Sequence, residues 1–241
     1  LEDELAFADA PDFREAAQWL EAAPAGWTLD LGAGLGVNSF ALVRRGHRVI
    51  AVDTSLERLR ALRERAHRLG IAPDRLQLVV AAAESLPFPS GTLPRLFTHS
   101  VLIHTDLDRA GSELARVLPS GGRGAFAEPQ PGNPFAWLYR RTLAPTAWAG
   151  ITRYFGGARR RDLLHHFRAV ESDDTVRPYY LFSFLAFVFQ FGLPAPVWFH
   201  RLLVPLNRLD SALFRRFSRL RPLAWFAIMT VQKEPDTTSR T

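Results

Sequence analysis

The stretch "TLDLGAGLGVNS", Thr28–Ser39, decides the fold of this chain: an apolar run, then three glycines in five positions, then residues of helical character. Glycine lets a backbone turn sharply and lets a ligand approach with no Cβ in the way. A helix beginning just after such a turn offers unpaired N–H groups to that ligand. An acid, Asp30, precedes the first glycine by two positions, and a second, Asp53, closes the next apolar run, "RVIAVD".

Working outward, short apolar runs alternate with helical segments. "DFREAAQWLEAA" places Phe13, Ala16, Ala17 and Leu20 on one helical face. After the glycines, "NSFALVRRG" reads as a helix closed by Gly46, and "SLERLRALRERAHRLG" as a helix from a Ser55 cap to a Gly70 stop. "RLQLVVA" is a third strand and "RLFTHSVLIH" a fourth, which carries His104 to its end. "DLDRAGSELARVL" is the next helix and "RGAFAEP" a fifth strand. "AVESDDTVRPYY" reads as a sixth strand and "AWFAIMTVQK" as a seventh, before a frayed tail, "EPDTTSRT".

This alternation predicts an α/β fold: a Rossmann-like, doubly wound, mostly parallel seven-stranded sheet with helices on both faces. One domain is expected over 1–241, with a core at about 25–130 and the last strand at about 225–233. Helical insertions are expected after strands five and six, over about 131–168 and 180–222. Ligands of such sheets bind beyond the C-terminal strand ends, where Asp30, Asp53, Glu84, Ser100 and Glu128 should gather.

The glycine spacing separates two ligand classes. A dinucleotide fingerprint is G-x-G-x-x-G, whereas Gly32, Gly34 and Gly36 make G-x-G-x-G. A pyrophosphate is repelled by a nearby carboxylate, so Asp30 argues against a nicotinamide dinucleotide. S-adenosylmethionine carries an ammonium and a sulfonium, which welcome a carboxylate, and a ribose diol that a second acid can hold. Asp53 stands where a ribose-binding acid belongs.

From Trp27 to Pro129 the chain resembles the class I S-adenosylmethionine-dependent methyltransferases, particularly the branch acting on quinones, lipids and other small molecules. "LDLGAGLG" is similar to that family's first motif and "VIAVDTS" to the segment ending in the ribose acid. "AAAESLPFPSGTL" is similar to its adenine-side loop, and "ELARVLPSGGRGAFAEP" to the helix–turn–strand that follows. The resemblance implies that Gly32, Gly34 and Gly36 meet the methionine part and that Asp53, with Thr54 beside it, holds the ribose. Ala83 and Glu84 would lie along the adenine, while Ser100 and His104 would line the methyl-transfer cleft. Asp30, Ala33, Asn38 and Ser85 complete the expected cofactor set. Ala82 stands where the family often has an acid for the adenine amino group, and Pro94 where an acid usually heads strand four. The first departure suggests weaker affinity or compensation by Glu84; the second questions the local strand geometry.

Methyl transfer from a sulfonium is a direct displacement that needs alignment, water exclusion and, for some acceptors, a base. The candidates are His104, as general base or as packing, and Glu128, either orienting an acceptor hydroxyl or capping the following segment. Alternation along the strand turns His99 away from Ser100 and marks it as structural. His165 and His166 have no companions at metal-ligand spacing, so no metal is expected. Phe135, Trp137 and Tyr139 follow Glu128 and either receive a flat, greasy acceptor or pad their own insertion.

The chain has 241 residues, no cysteine and a net charge of +6 with a pI near 10.6, and Lys233 is its single lysine. The absence of cysteine fits a reducing cytoplasm and excludes thiolate metal sites. The arginines reflect either a GC-rich genome or an anionic partner. The apolar run Tyr179–Leu193 falls short of the roughly 20 residues of a membrane span. Beyond it, Leu206, Leu209, Leu213, Phe217 and Leu220 form a stripe with Arg208, Arg215, Arg216 and Arg219 beside it. Such a helix either lies on an anionic membrane, packs on a partner, or packs on its own domain. The expected enzyme is therefore a cytoplasmic methyltransferase for a small, hydrophobic or lipid-linked acceptor, with membrane contact, if any, through 179–221. Its rivals are a non-catalytic cofactor-binding scaffold and, less favoured, a nucleic-acid methyltransferase.

Overall fold

The computed structural model describes residues 10–142, 153–192 and 196–234. Residues 1–9, 143–152 of the first expected insertion, 193–195 of the second, and the tail from 235 lie outside them. Seven strands form one sheet: β1 (Trp27–Leu31), β2 (Arg48–Asp53), β3 (Leu76–Val80), β4 (Arg95–His99), β5 (Arg123–Pro129), β6 (Val176–Tyr179) and β7 (Phe226–Gln232). Their order is β3-β2-β1-β4-β5-β7-β6, and β7 runs antiparallel to both its neighbours. The expected architecture holds, and strand order reverses between β1 and β4.

Helices cover both faces. They are α1 (Pro11–Glu21), α2 (Val37–Arg44), α3 (Leu56–Arg68), α4 (Leu107–Val117), α5 (Pro134–Thr142), α6 (Gly157–His166), α7 (Phe184–Gly192) and α8 (Pro196–Arg216). One apolar layer joins Phe13, Leu20, Phe40, Leu62 and Phe97 to Phe184, Phe199 and Trp225; the other joins Leu29, Leu96, Leu114, Phe126 and Leu163. Full burial of each such side chain is worth about 1.5–3 kcal/mol. Ser55 caps α3 by accepting the Arg58 N–H at 3.2 Å, and Gly70, at φ +65°, ends it in the left-handed turn expected of glycine.

Three expectations change. Strand four is shorter than its apolar run: β4 ends at His99, and Leu102–His104 is a 3₁₀ turn. The break comes at Ser100, whose φ of +59° takes the chain out of the sheet. Pro94 does not disturb β4, which pairs in register with β1 and β5 from Arg95 onward. Arg95 instead anchors the strand's start through bonds to the carbonyls of Leu20, Gly26 and Ala23. On α8 the residues facing the core are Phe199, Leu203, Asp210 and Phe214 rather than the stripe read from sequence. Leu209 and Phe217, of that stripe, stay about half exposed.

Candidate functional site

The site lies at the strand-order reversal. The chain leaves β1 through Gly32, whose N–H, like that of Ala33, is taken by the Val52 carbonyl of β2 at 2.7 and 2.9 Å. Gly32 and Gly36 are tight for different reasons. A Cβ on Gly32, at φ +72°, would sit 2.3 Å from Val101 Cγ2; one on Gly36, at φ +88°, would sit 2.7 Å from Leu62 Cγ. Gly36 is thus a packing glycine beneath α2. Arg65 of α3 ties the loop from outside by donating to the Leu35 carbonyl at 2.9 Å.

Asp53 ends β2 and reaches back across the turn. Its Oδ2 accepts the Gly34 N–H at 2.9 Å and its Oδ1 the Ser55 N–H at 2.8 Å. A cavity of about 610 Å³ opens beside it, within the size range of small-molecule and cofactor sites. Of the expected cofactor residues, Gly32, Asp53, Thr54, Ala83, Glu84 and Ser100 line it, together with His104. Arg58, which the sequence reading passed over, lines it too. Glu84 Oε1 accepts the Asp106 N–H at 2.9 Å and so couples the β3 loop to the start of α4.

The other expected cofactor residues stand elsewhere. Asp30 is buried under the loop, where Ser39 Oγ donates to its Oδ2 at 2.5 Å. Burial pushes its pKa up to about 7, against the Ser39 bond and the His99 charge. Ala33, Gly34, Gly36 and Ser85 are off the cavity wall: Ala33 and Gly36 are turned into packing, and Ser85 projects to solvent. Asn38 lines a second, apolar hollow of about 340 Å³ with Phe13, Tyr180, Phe187, Trp225 and Phe226.

A third hollow, about 230 Å³, lies beyond Ser100 and His104, against Arg140, Tyr154, Trp225 and Phe226. Ser100 lines all three spaces and His104 the first and third. His99 lines the first and second. It is therefore a cleft residue and not the structural one that strand alternation implied, because the break at Ser100 swings both side chains to the same opening.

Glu128 does not reach the cleft. Fully buried, it accepts the N–H groups of Val101, Leu102 and Ile103 at 3.1, 2.9 and 3.3 Å and the Thr98 hydroxyl at 3.3 Å. It staples the turn that presents Ser100 and His104. Burial raises its pKa to about 7, opposed by those N–H bonds and by His99.

The aromatics of α5 also stand away from the described cavities. Phe135 packs its ring on Phe182, Tyr139 on Phe184, and Trp137 is half exposed under Arg141. Phe135 and Tyr139 thus pack on the segment that follows β6 rather than on a cleft, and the wall of the apolar hollow comes from α1, α7 and β7. His166 packs against the bare Gly111 of α4, with Asp108 3.3 Å from its Nε2. Among the described residues no cluster of three His, Cys, Asp or Glu could hold a metal.

Residues 29–126 match the methyltransferase domain family. The match covers about two fifths of the chain. The chain is 41% identical over 102 residues to a demethylmenaquinone methyltransferase of Thermobifida fusca, covering 42% of each chain. A malonyl-[acyl-carrier protein] O-methyltransferase of Methylococcus capsulatus is 37% identical over 144 residues, covering 58% of this chain and 50% of that one. The chain thus spans about half, or less, of the length of these curated relatives.

The whole fold is shared more widely than the sequence. The YcgJ protein of Bacillus subtilis superposes with a TM-score of 0.61 at 19% identity, covering 93% of this chain and 99% of that one. A geranyl diphosphate C-methyltransferase from Streptomyces coelicolor does so at 0.53 and 20% identity, covering 91% and 79%.

Proposed function

We propose that this chain is an S-adenosylmethionine-dependent methyltransferase of a small, hydrophobic acceptor. The observation that carries the reading is Asp53 at the C-terminal end of β2, facing the glycine turn and lining a cavity of cofactor size. The residues present fit the cofactor. Asp53 would accept from the ribose hydroxyls, Ala81 and Ala83 would offer an apolar wall to the adenine, and Glu84 lies at the same end. Asp30 would not touch it and instead holds Ser39 at the start of α2.

When bound, the cofactor supplies a methyl group on a sulfonium. The chain's own part is to bind, orient and exclude water. Positioning of this kind is worth about 7–11 kcal/mol of a barrier. The hollow of Phe13, Tyr180, Phe187, Trp225 and Phe226 suits a flat, apolar acceptor delivered next to Ser100. That the two relatives above are named for demethylmenaquinone and for malonyl-[acyl-carrier protein] supports an acceptor of this kind rather than a nucleic acid. The segments after β5 and β6 would shape this acceptor side within one domain.

Membrane contact through 179–221 forms the outer part of the proposal. No described helix is long and apolar enough to cross a membrane. Leu209 and Phe217 nevertheless project outward beside exposed Arg208, Arg215, Arg216 and Arg219. Calorimetry with S-adenosylmethionine and NAD side by side tests the cofactor, and binding of NAD alone would end the reading. Labelled methyl donor with a total lipid extract tests the acceptor, and label confined to water-soluble products would remove the greasy class.

A further inference from the structure

His99 stands where the cofactor-side cavity and the apolar hollow meet, and it lines both. Its ring is held from three directions. Nε2 lies 3.4 Å from Asp12 Oδ2, and Asp12 is itself buried in the first turn of α1 with its Oδ1 accepting from the Tyr180 hydroxyl. One ring face stacks on Phe226, with centroids 4.9 Å apart and planes 28° from parallel. Nδ1 lies 3.4 Å from Ser100 Oγ, at the residue that borders all three spaces. A neutral imidazole with a carboxylate at Nε2 carries its proton there and leaves Nδ1 an acceptor, beside a serine that borders the cleft. That is the arrangement of a base oriented by an acid.

The charges around the ring come from every element packed on it: Asp12 on α1, Asp30 on β1 and Glu128 on β5, with the Tyr180 hydroxyl following β6. Burial works against the imidazolium, but the bond to Asp12 and the charges of Asp12, Glu128 and Asp30 outweigh it. The His99 pKa is held above its ordinary value. Such a base is matched to a phenolic proton, of pKa about 10, far better than to an aliphatic alcohol. The five aromatic rings of the hollow suit a flat phenol.

We propose that His99, oriented by Asp12, is the general base for a phenolic acceptor seated in the hollow of Phe13, Tyr180, Phe187, Trp225 and Phe226. The acceptor O–H bond breaks and its proton goes to His99 Nδ1. The oxygen electron pair forms the new bond to the donor methyl carbon as the carbon–sulfur bond breaks, its pair staying on the thioether product. The imidazolium then returns its proton to water. Asp12 acts only through His99 and is a positioning residue. The assignment rests on the methyl-transfer reading above and deepens it.

The test uses 2-naphthol, whose ionised form has its own absorption band, added to the protein with S-adenosylhomocysteine. Calorimetry first measures S-adenosylhomocysteine binding to the wild type, His99→Gln and Asp12→Asn. Each protein is then titrated at S-adenosylhomocysteine concentrations that saturate it, because His99 also lines the cofactor-side cavity. In the wild type, bound naphthol should ionise about one pH unit or more below its value in His99→Gln, a tenfold change in ionisation ratio. In Asp12→Asn the ¹⁵N-imidazole titration of His99 should move downward, and the naphthol shift should shrink with it. A purely packing role for Asp12 would leave that titration in place. Naphthol ionising alike in wild type and His99→Gln, or not binding beside S-adenosylhomocysteine, overturns the assignment alone. Failure of S-adenosylhomocysteine to bind the wild type overturns the methyl-transfer reading and the assignment with it.

Discussion

Asp53 accepts the Gly34 N–H at 2.9 Å, so the acid at the end of β2 and the middle of the glycine turn are locked together before any ligand arrives. Ser55 N–H satisfies its other oxygen at 2.8 Å. An amide at this position keeps one acceptor but loses the charge that a ribose diol would use. Hydrogen bonds to charged groups are worth about 1.5–3 kcal/mol, so Asp53→Asn should weaken S-adenosylmethionine binding by about 10- to 100-fold. Calorimetry reads this directly, and unchanged affinity would detach Asp53 from the cofactor.

Gly32→Ala and Gly34→Ala should part company. Both positions have left-handed φ, +72° and +54°, which costs a side-chain-bearing residue about 1–2 kcal/mol. At Gly34 the new methyl meets only the Gly32 carbonyl oxygen, at 4.0 Å, whereas at Gly32 it strikes Val101 at 2.3 Å. Overpacking adds about 1–3 kcal/mol at Gly32 alone. Thermal unfolding should therefore drop several degrees further for Gly32→Ala than for Gly34→Ala. Equal drops would mean that Val101 yields freely.

What could be read from the chain was what is local. The order β1–glycine turn–α2 lies in consecutive residues, as does the Asp53 that ends the next strand, and the mostly parallel character of the sheet follows from the helix–strand alternation, whereas the seat of antiparallel β7 between β5 and β6 does not. The proposed acceptor side could not be read that way. Asp12, His99, Tyr180 and Phe226 come from four distant segments that only the folded sheet brings together. The single residue that misled the reading of strand four is Ser100: nothing in "FTHSVLIH" marks a left-handed serine, so periodicity ran on through His104. Glu128 showed as an acid at a strand end. That three N–H groups of a 3₁₀ turn would consume it is a tertiary fact.

Glu128 gives stability a pH dependence of known sign. Its pKa rises from 4.5 to about 7 on folding, so between those limits the folded chain holds the proton that the unfolded chain has released. The contribution is fully present below about pH 4.5, is lost as pH rises through about 7, and is constant above. Asp30, raised from 3.8 to about 7, acts in the same direction, while His47, lowered to about 4, acts oppositely between about 4 and 6.5. The difference between wild type and Glu128→Gln isolates the one group, since Gln retains an oxygen for the turn but does not titrate. Urea denaturation at a series of pH values should show the wild-type advantage shrinking from pH 4.5 to 7; a flat difference would contradict the raised pKa.

Substitutions at two aromatic residues separate the proposed acceptor wall from the one expected on α5. Trp137 is 51% exposed and touches Arg141, so Trp137→Ala removes little buried surface and should change stability by no more than about 0.5 kcal/mol. Phe187 is 4% exposed, edge-on to Tyr180, Phe199 and Trp225 with centroids 4.8, 5.1 and 5.0 Å away, and it lines the apolar hollow. Phe187→Ala should cost about 3–5 kcal/mol in urea denaturation. Phe187→Leu keeps most of the volume and should fold well, yet it removes the flat ring. It should weaken 2-naphthol binding several-fold and leave S-adenosylhomocysteine binding unchanged, because Phe187 borders the hollow and not the cofactor-side cavity. If Trp137→Ala is instead the variant that loses naphthol, the acceptor enters along α5 and the hollow between α1, α7 and β7 is only core.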